Sequence, residues 1–106
     1  MTTKAKHTGS ARRKLETIHG GPLTLKALMS AIREGEAWSL AEMAKRLGVS
    51  RGHVAAIERG KTVSPASAAR YAKALGYSEA QFVRLALQDT LKRAGLRYSV
   101  EVVAAA

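Results

Sequence analysis

The feature that most restricts the fold of this chain is a pair of short helical segments separated by only three residues. The string SLAE at residues 39–42 has the composition of a capping box, which predicts that a helix begins at residue 40 and ends near residue 47. The pattern then breaks, because Gly48 can adopt the left-handed conformation and Ser50 can cap a following helix over residues 51–59. Two short helices joined by such a turn are typical of a helix-turn-helix.

Three further helices are predicted around this pair. Apolar residues spaced three and four positions apart, capping serines and terminal glycines predict them over residues 23–34, 65–75 and 79–94. The last helix is the longest, and its apolar residues cover more of its circumference than one core face requires. We therefore expect an all-α, five-helix domain over residues 22–95, with a second buried surface on the last helix.

The C-terminal residues 96–106 follow a different pattern. Apolar and polar residues alternate from Leu96 to Val102, which is the period of a half-buried strand. A lone strand needs a partner, and no other strand is predicted in this chain. The sequence therefore predicts a homodimer that forms through the last helix and this strand.

The N-terminal residues 1–21 form a basic segment with few large apolar side chains. Five cationic residues stand against the single acid Glu16, and such a segment buries too little to order itself fully. Three interpretations remain open for it: an arm in the minor groove of DNA, a partner-binding tail, or a solubilising tail.

Composition limits the class of partner. With 18 Lys and Arg against 8 Asp and Glu, the formal net charge is +10, which favours a polyanion. No apolar run approaches the roughly 20 residues that span a bilayer, and no secretory signal precedes the domain. The chain has no cysteine, which fits a reducing compartment. We expect a cytoplasmic protein that acts at the nucleoid and not at a membrane.

Catalysis and metal binding are not expected. The three histidines, His7, His19 and His53, share no metal-ligand spacing with the carboxylates. The chain contains no HExxH, phosphate-binding-loop or GxSxG string. The prediction is a protein without catalytic residues, metal or cofactor.

The segment SLAEMAKRLGVSRGHVAAIERGK, residues 39–61, resembles the helix-turn-helix of the Cro/C1 type, also called the XRE family. The resemblance extends over residues 23–76 and implies a lambda-repressor-like domain. It also implies that Arg33 and Glu58 form a buried ion pair that ties the first helix to the end of the third. A bidentate contact between guanidinium and carboxylate suits such a structural role.

The same resemblance implies which residues contact double-stranded DNA. Arg51 is the strongest candidate, because a guanidinium can bond both O6 and N7 of guanine. For His53 a base contact, a phosphate contact and a purely surface position are all open, and a solvated loop remains an alternative for Lys61 and Thr62. The predicted DNA-binding residues are Ser50, Arg51, Gly52, His53, Ala56, Arg59, Lys61 and Thr62.

One departure from the family pattern affects specificity. Leu40 and Ala56 stand where phage repressors often have glutamine, which removes two polar contacts with DNA. Recognition is therefore expected to depend on few base contacts together with DNA shape.

Two functions fit these features, and a third fits less well. The first is a repressor that binds a palindromic operator as a dimer and regulates its own operon. The second is an antitoxin of a type II pair, because the chain is similar to XRE-family proteins encoded beside RelE-like or ParE-like toxins. Its toxin-binding surface would then be the N-terminal segment or the C-terminal strand. Non-specific nucleic-acid packing is the third interpretation, and the defined turn argues against it.

Overall fold

The computed structural model describes residues 23–105, so the basic segment over residues 1–21 lies outside the described residues. The described part contains five α-helices: α1 Leu25–Gly35, α2 Leu40–Leu47, α3 Arg51–Glu58, α4 Pro65–Leu75 and α5 Glu79–Arg93. The prediction of an all-α domain with five helices is confirmed. The boundaries of α2 and α4 agree with the predicted ones, and those of the other helices differ by one or two residues.

The helix starts are set by capping side chains. At α1 the cap is Thr24, whose backbone is extended and whose side-chain oxygen accepts a bond from the Ala27 amide. The helix therefore begins two residues later than predicted. At α2 the predicted capping box is complete: the Glu42 amide donates to Ser39 Oγ over 3.1 Å, and the Ser39 amide donates to Glu42 Oε1 over 2.8 Å. Ser50, Ser64 and Ser78 cap α3, α4 and α5 through their hydroxyl oxygens.

The turn between α2 and α3 depends on Gly48. Its φ is 71° and its ψ is 33°, which is the left-handed conformation that a residue with a side chain rarely adopts. The Gly48 amide donates to the Lys45 carbonyl, and the Val49 amide donates to the Ala44 carbonyl. This turn ends α2 and allows α3 to begin at Arg51, with only three residues between the two helices.

A single core lies between the helices. The most extensive pairing is between α4 and α5, while α2 packs on α3 and α4, and α1 packs on α3 and α5. Each helix contributes apolar side chains from one face, and the largest fully buried ones are Phe82, Leu28, Met29, Ile32, Met43, Ile57, Leu75 and Val54. Because Val54 and Ile57 are the buried residues of α3, the opposite face of that helix is left for solvent or a partner.

The predicted C-terminal strand is not formed in the described single chain. Residues 96–105 follow the end of α5 at Arg93 and form no strand ladder. The physical reason is the one anticipated from the sequence: the described part of this chain supplies no second strand for the alternating segment. Side-chain bonds from Gln88 hold the segment instead.

Candidate DNA-binding surface

Helix α3 exposes its N-terminus to solvent, whereas its remaining residues, 53–58, are half-buried or buried. Ser50 caps the helix with a 3.0 Å bond from the His53 amide to its hydroxyl oxygen. Arg51 and Gly52, the first two helical residues, are both exposed. Within residues 23–105 the Arg51 guanidinium has no ion-pair or hydrogen-bond partner, so this charge is available to an external group.

Gly52 is not required by the fold. A methyl group built on its Cα would meet no atom within 4 Å, and the backbone there is ordinary right-handed helix. Glycine lowers helix stability relative to alanine, so the residue disfavours folding slightly without any compensating internal contact. Its effect is to leave bare backbone at the exposed start of α3.

His53 is held between two side chains that sequence reasoning did not connect to it. Its Nε2 lies 3.3 Å from the Tyr71 hydroxyl oxygen, and its Nδ1 lies 3.3 Å from Lys61 Nζ. The ammonium of Lys61 can only donate, so Nδ1 accepts, and the neutral ring then carries its proton on Nε2 and donates it to Tyr71. This network fixes the ring on α3 and draws the Lys61 side chain back along the helix.

The loop after α3 carries the remaining predicted contacts. Arg59, Lys61 and Thr62 are all exposed, while Val63 is buried and anchors the loop in the core. The Lys61 amide donates to the Ala56 carbonyl over 2.9 Å, which fixes where this loop leaves the helix. Ala56 itself is half-buried on α3. From residue 51 to residue 64 three cations stand against one acid, so the exposed surface of this region is positive.

Arg33 and Glu58 form the bidentate pair that the family resemblance implied. Arg33 Nε donates to Glu58 Oε2 over 2.7 Å, and Nη2 donates to Oε1 over 3.0 Å. A third bond runs from Nη1 to the Trp38 carbonyl over 3.1 Å. The bond from Glu58 raises the pKa of the Arg33 guanidinium above its usual value. The pair therefore neutralises Glu58 and ties α1 and the turn before α2 to the end of α3.

Trp38 and Leu40 support this arrangement from the side of α2. Both are partly buried and packed against the core. The Arg46 guanidinium lies 4.1 Å from the centre of the Trp38 ring, which is a cation–π contact. Leu40 therefore fills a packing position, which gives a physical reason for an apolar residue where phage repressors often have glutamine.

A second group of cations lies beside the end of α3 and was not found from the sequence. Lys26, Lys92 and Arg93, together with Lys61 and Asp89, line a cleft of about 310 Å³ next to Gly60. Arg93 donates to the Gly60 carbonyl and to Asp89. Apart from Lys61, these cations come from the first and last helices, more than 60 residues apart in sequence. No short motif could therefore have revealed the cluster, which extends the positive surface beyond the loop.

Within residues 23–105 no three His, Cys, Asp or Glu side chains are grouped as metal ligands would be. In the same range no helix combines the length and apolar character that crossing a bilayer requires.

The helical pair and the residues packed around it match a known family. A family model described as helix-turn-helix matches residues 29–82, from the middle of α1 to the first turn of α5. The match therefore includes α2, the Gly48 turn, α3 and the loop with Lys61. No curated protein and no solved structure gave a match. The chain belongs to the XRE-type helix-turn-helix family of DNA-binding transcription regulators, which is not an enzyme family.

Proposed function

We propose that the protein is a sequence-specific repressor that reads its operator with the N-terminus of α3. The observation that carries this proposal is the exposed, capped start of α3, where Arg51 has no partner within residues 23–105 and Gly52 leaves bare backbone. The opposite side of the helix is fixed by the core and by Glu58. A rigid helix with a free, positively charged tip is suited to the major groove.

Arg51 is proposed to donate to O6 and N7 of one guanine. Such a bidentate contact is worth about 1 to 3 kcal/mol of discrimination against another base. Gly52 lets the helix backbone approach a phosphate or a thymine methyl group closely, and the half-buried methyl group of Ala56 suits an apolar contact with thymine. Ser50 and His53 complete the surface at the start of the helix.

Arg59, Lys61 and Thr62 are proposed to contact phosphates next to the base-reading surface. These side chains are exposed and follow α3 directly. Phosphate contacts position the protein and carry no sequence information themselves. The contact between His53 Nδ1 and Lys61 Nζ supports this role, because it holds the Lys61 ammonium close to α3. The phosphate contact of Lys61 would then lie next to the base-reading surface.

The repressor is proposed to act as a homodimer on a palindrome, in the cytoplasm, at an operator of its own operon. The described molecule measures 35 × 34 × 29 Å. Two such domains side by side have centres roughly one turn of B-DNA apart, about 34 Å, which is the spacing of two half-sites.

The alternative is an antitoxin whose main role is to neutralise a RelE-like or ParE-like toxin. The exposed apolar side chains of the C-terminal segment favour a protein partner: Leu96 is 46 % exposed, Tyr98 67 % and Val103 84 %. Flexible segments and free strand edges both recruit such partners.

The test is to mix the purified protein with sheared DNA of its source genome near physiological salt and to sequence the recovered fragments. We expect enrichment of one palindrome upstream of its own gene, and we expect Arg51→Ala to abolish the enrichment. A toxin-sized neighbour in that operon would support the antitoxin role. Uniform recovery that fades with salt would contradict base reading.

A further inference from the structure

The extended C-terminal segment is held to α5 along one edge only. Gln88 Nε2 donates to the Tyr98 carbonyl over 2.7 Å, and the Val100 amide donates to Gln88 Oε1 over 2.9 Å. The side-chain amide of Gln88 thus bonds the backbone as a neighbouring strand would. Val100 and Val102 are half-buried, whereas Leu96 and Tyr98 remain exposed.

The other edge of this segment is open. In an extended chain the N–H and C=O of one residue point to one edge, and those of the next residue point to the opposite edge. Because Tyr98 and Val100 face Gln88, the backbone groups of Arg97, Ser99 and Glu101 face away from it. Within residues 23–105 none of these groups has a hydrogen-bond partner. Unpaired strand edges of this kind recruit another strand.

We propose that a second copy of this chain pairs with the open edge as an antiparallel strand, with Ser99 on the two-fold axis. This inference rests on the proposed homodimer and assigns its register. An antiparallel pair about Ser99 uses the N–H and C=O groups of residues 97, 99 and 101 on both chains. These are the same groups that the Gln88 bonds leave free. In the single chain they therefore already point to the edge at which the second copy would pair.

The side chains are self-complementary in this register. Arg97 lies opposite Glu101 of the second copy, and the symmetry repeats this ion pair. Neither residue has an ion pair within residues 23–105. Leu96 lies opposite Val102 of the second copy, and Tyr98 lies opposite Val100, so the apolar side chains of both copies share one face of the pair. Directly opposite charged and apolar pairs are the contacts that stabilise strand pairing.

The register is tested by reversing charges. Arg97→Glu sets two carboxylates against each other at both symmetry-related pairs, and Glu101→Arg sets two guanidinium groups against each other there. We expect each single variant to weaken dimerisation about tenfold or more, because like charges directly opposite each other destabilise strand pairing. The double variant, with both substitutions in one chain, restores opposite charges at both pairs and should recover wild-type association.

The measurement is sedimentation equilibrium of the full chain without DNA, with Lys45→Glu on α2 as the control for charge change alone. Thermal unfolding followed by circular dichroism checks that each variant folds. Single variants that dimerise like the wild type would overturn the register while leaving the homodimer intact. A wild-type chain that stays monomeric at tens of micromolar would overturn both. Neither result concerns base reading by Arg51, which is tested separately through DNA binding by the Arg51→Ala variant.

Discussion

At the scale of single residues, Gly52 allows its proposed role in DNA binding to be tested separately from folding. Since a Cβ at this position meets no atom within 4 Å, Gly52→Ala should raise the free energy of unfolding by about 0.5 kcal/mol through helix propensity. The same change should weaken DNA binding, because the added methyl group occupies the space proposed for close backbone approach. Urea unfolding and fluorescence anisotropy measure the two effects. Unchanged affinity would show that the bare backbone has no part in recognition.

The Arg33–Glu58 pair gives the second prediction at this scale. Glu58→Gln removes the carboxylate that accepts two bonds from Arg33. We expect the free energy of unfolding to fall by about 1.5 to 3 kcal/mol, the range for hydrogen bonds to charged groups. The control is Glu79→Gln, because the exposed pair of Lys73 and Glu79 should contribute less than about 1 kcal/mol. Equal losses for the two variants, measured in urea, would contradict the structural role of Glu58.

Single residues also show where sequence reasoning stops. The resemblance placed Arg33 opposite Glu58 because both lie within a recurring pattern. The bonds of His53 could not be anticipated, since Tyr71 is 18 positions away and its hydroxyl reaches the ring only after α4 has packed. Lys61 was expected at a phosphate, and its bond to His53 adds a contact that no local pattern encodes.

At the scale of elements, the junction of α4 and α5 gives a prediction about pH. Burial, with a smaller contribution from the charge of Glu36, raises the pKa of the Tyr77 phenol from 10.0 to about 12. The raised pKa means that the neutral phenol stabilises the folded state. This stability is complete below pH 10 and is lost as pH rises through the window from 10 to about 12.

The variant Tyr77→Phe isolates this contribution. It keeps the ring that packs near Phe82, at 6.4 Å between centroids, and removes the ionisable group. Between about pH 9 and about pH 11.5 the wild type should therefore lose more unfolding free energy than Tyr77→Phe, measured by urea denaturation at each pH. Identical losses in the two proteins would show that the Tyr77 phenol is not protected in the folded state.

Elements were predictable where their ends carry a chemical signal. Ser39 with Glu42, Ser50, Ser64 with Pro65, and Ser78 all mark helix starts that the structure has at the same positions. The start of α1 was misplaced because the apolar pattern begins at Leu23, whereas the Thr24 cap begins the helix two residues later. The strand over residues 96–102 is absent from the described single chain because ladder hydrogen bonds require a partner strand.

At the scale of the whole molecule, charge and shape have separate roles. The net charge of +10 favours any polyanion, and it explains affinity without explaining selection of a sequence. We expect the cations of the cleft beside Gly60 to contribute to this general attraction and not to the selection of a sequence. Selection requires the rigid placement of α3, which the core, the Gly48 turn and the Arg33–Glu58 pair provide together. We therefore expect different substitutions to remove specificity and general affinity.

The most direct test compares wild type, Arg51→Ala and Lys61→Ala on the enriched palindrome and on a random duplex of equal length, over a series of salt concentrations. Arg51→Ala should lose about 1 to 3 kcal/mol on the palindrome and much less on the random duplex. Lys61→Ala should weaken binding to both duplexes and lower the salt slope by about one unit. Equal losses on both duplexes for Arg51→Ala would contradict base reading by the start of α3, which is the central claim.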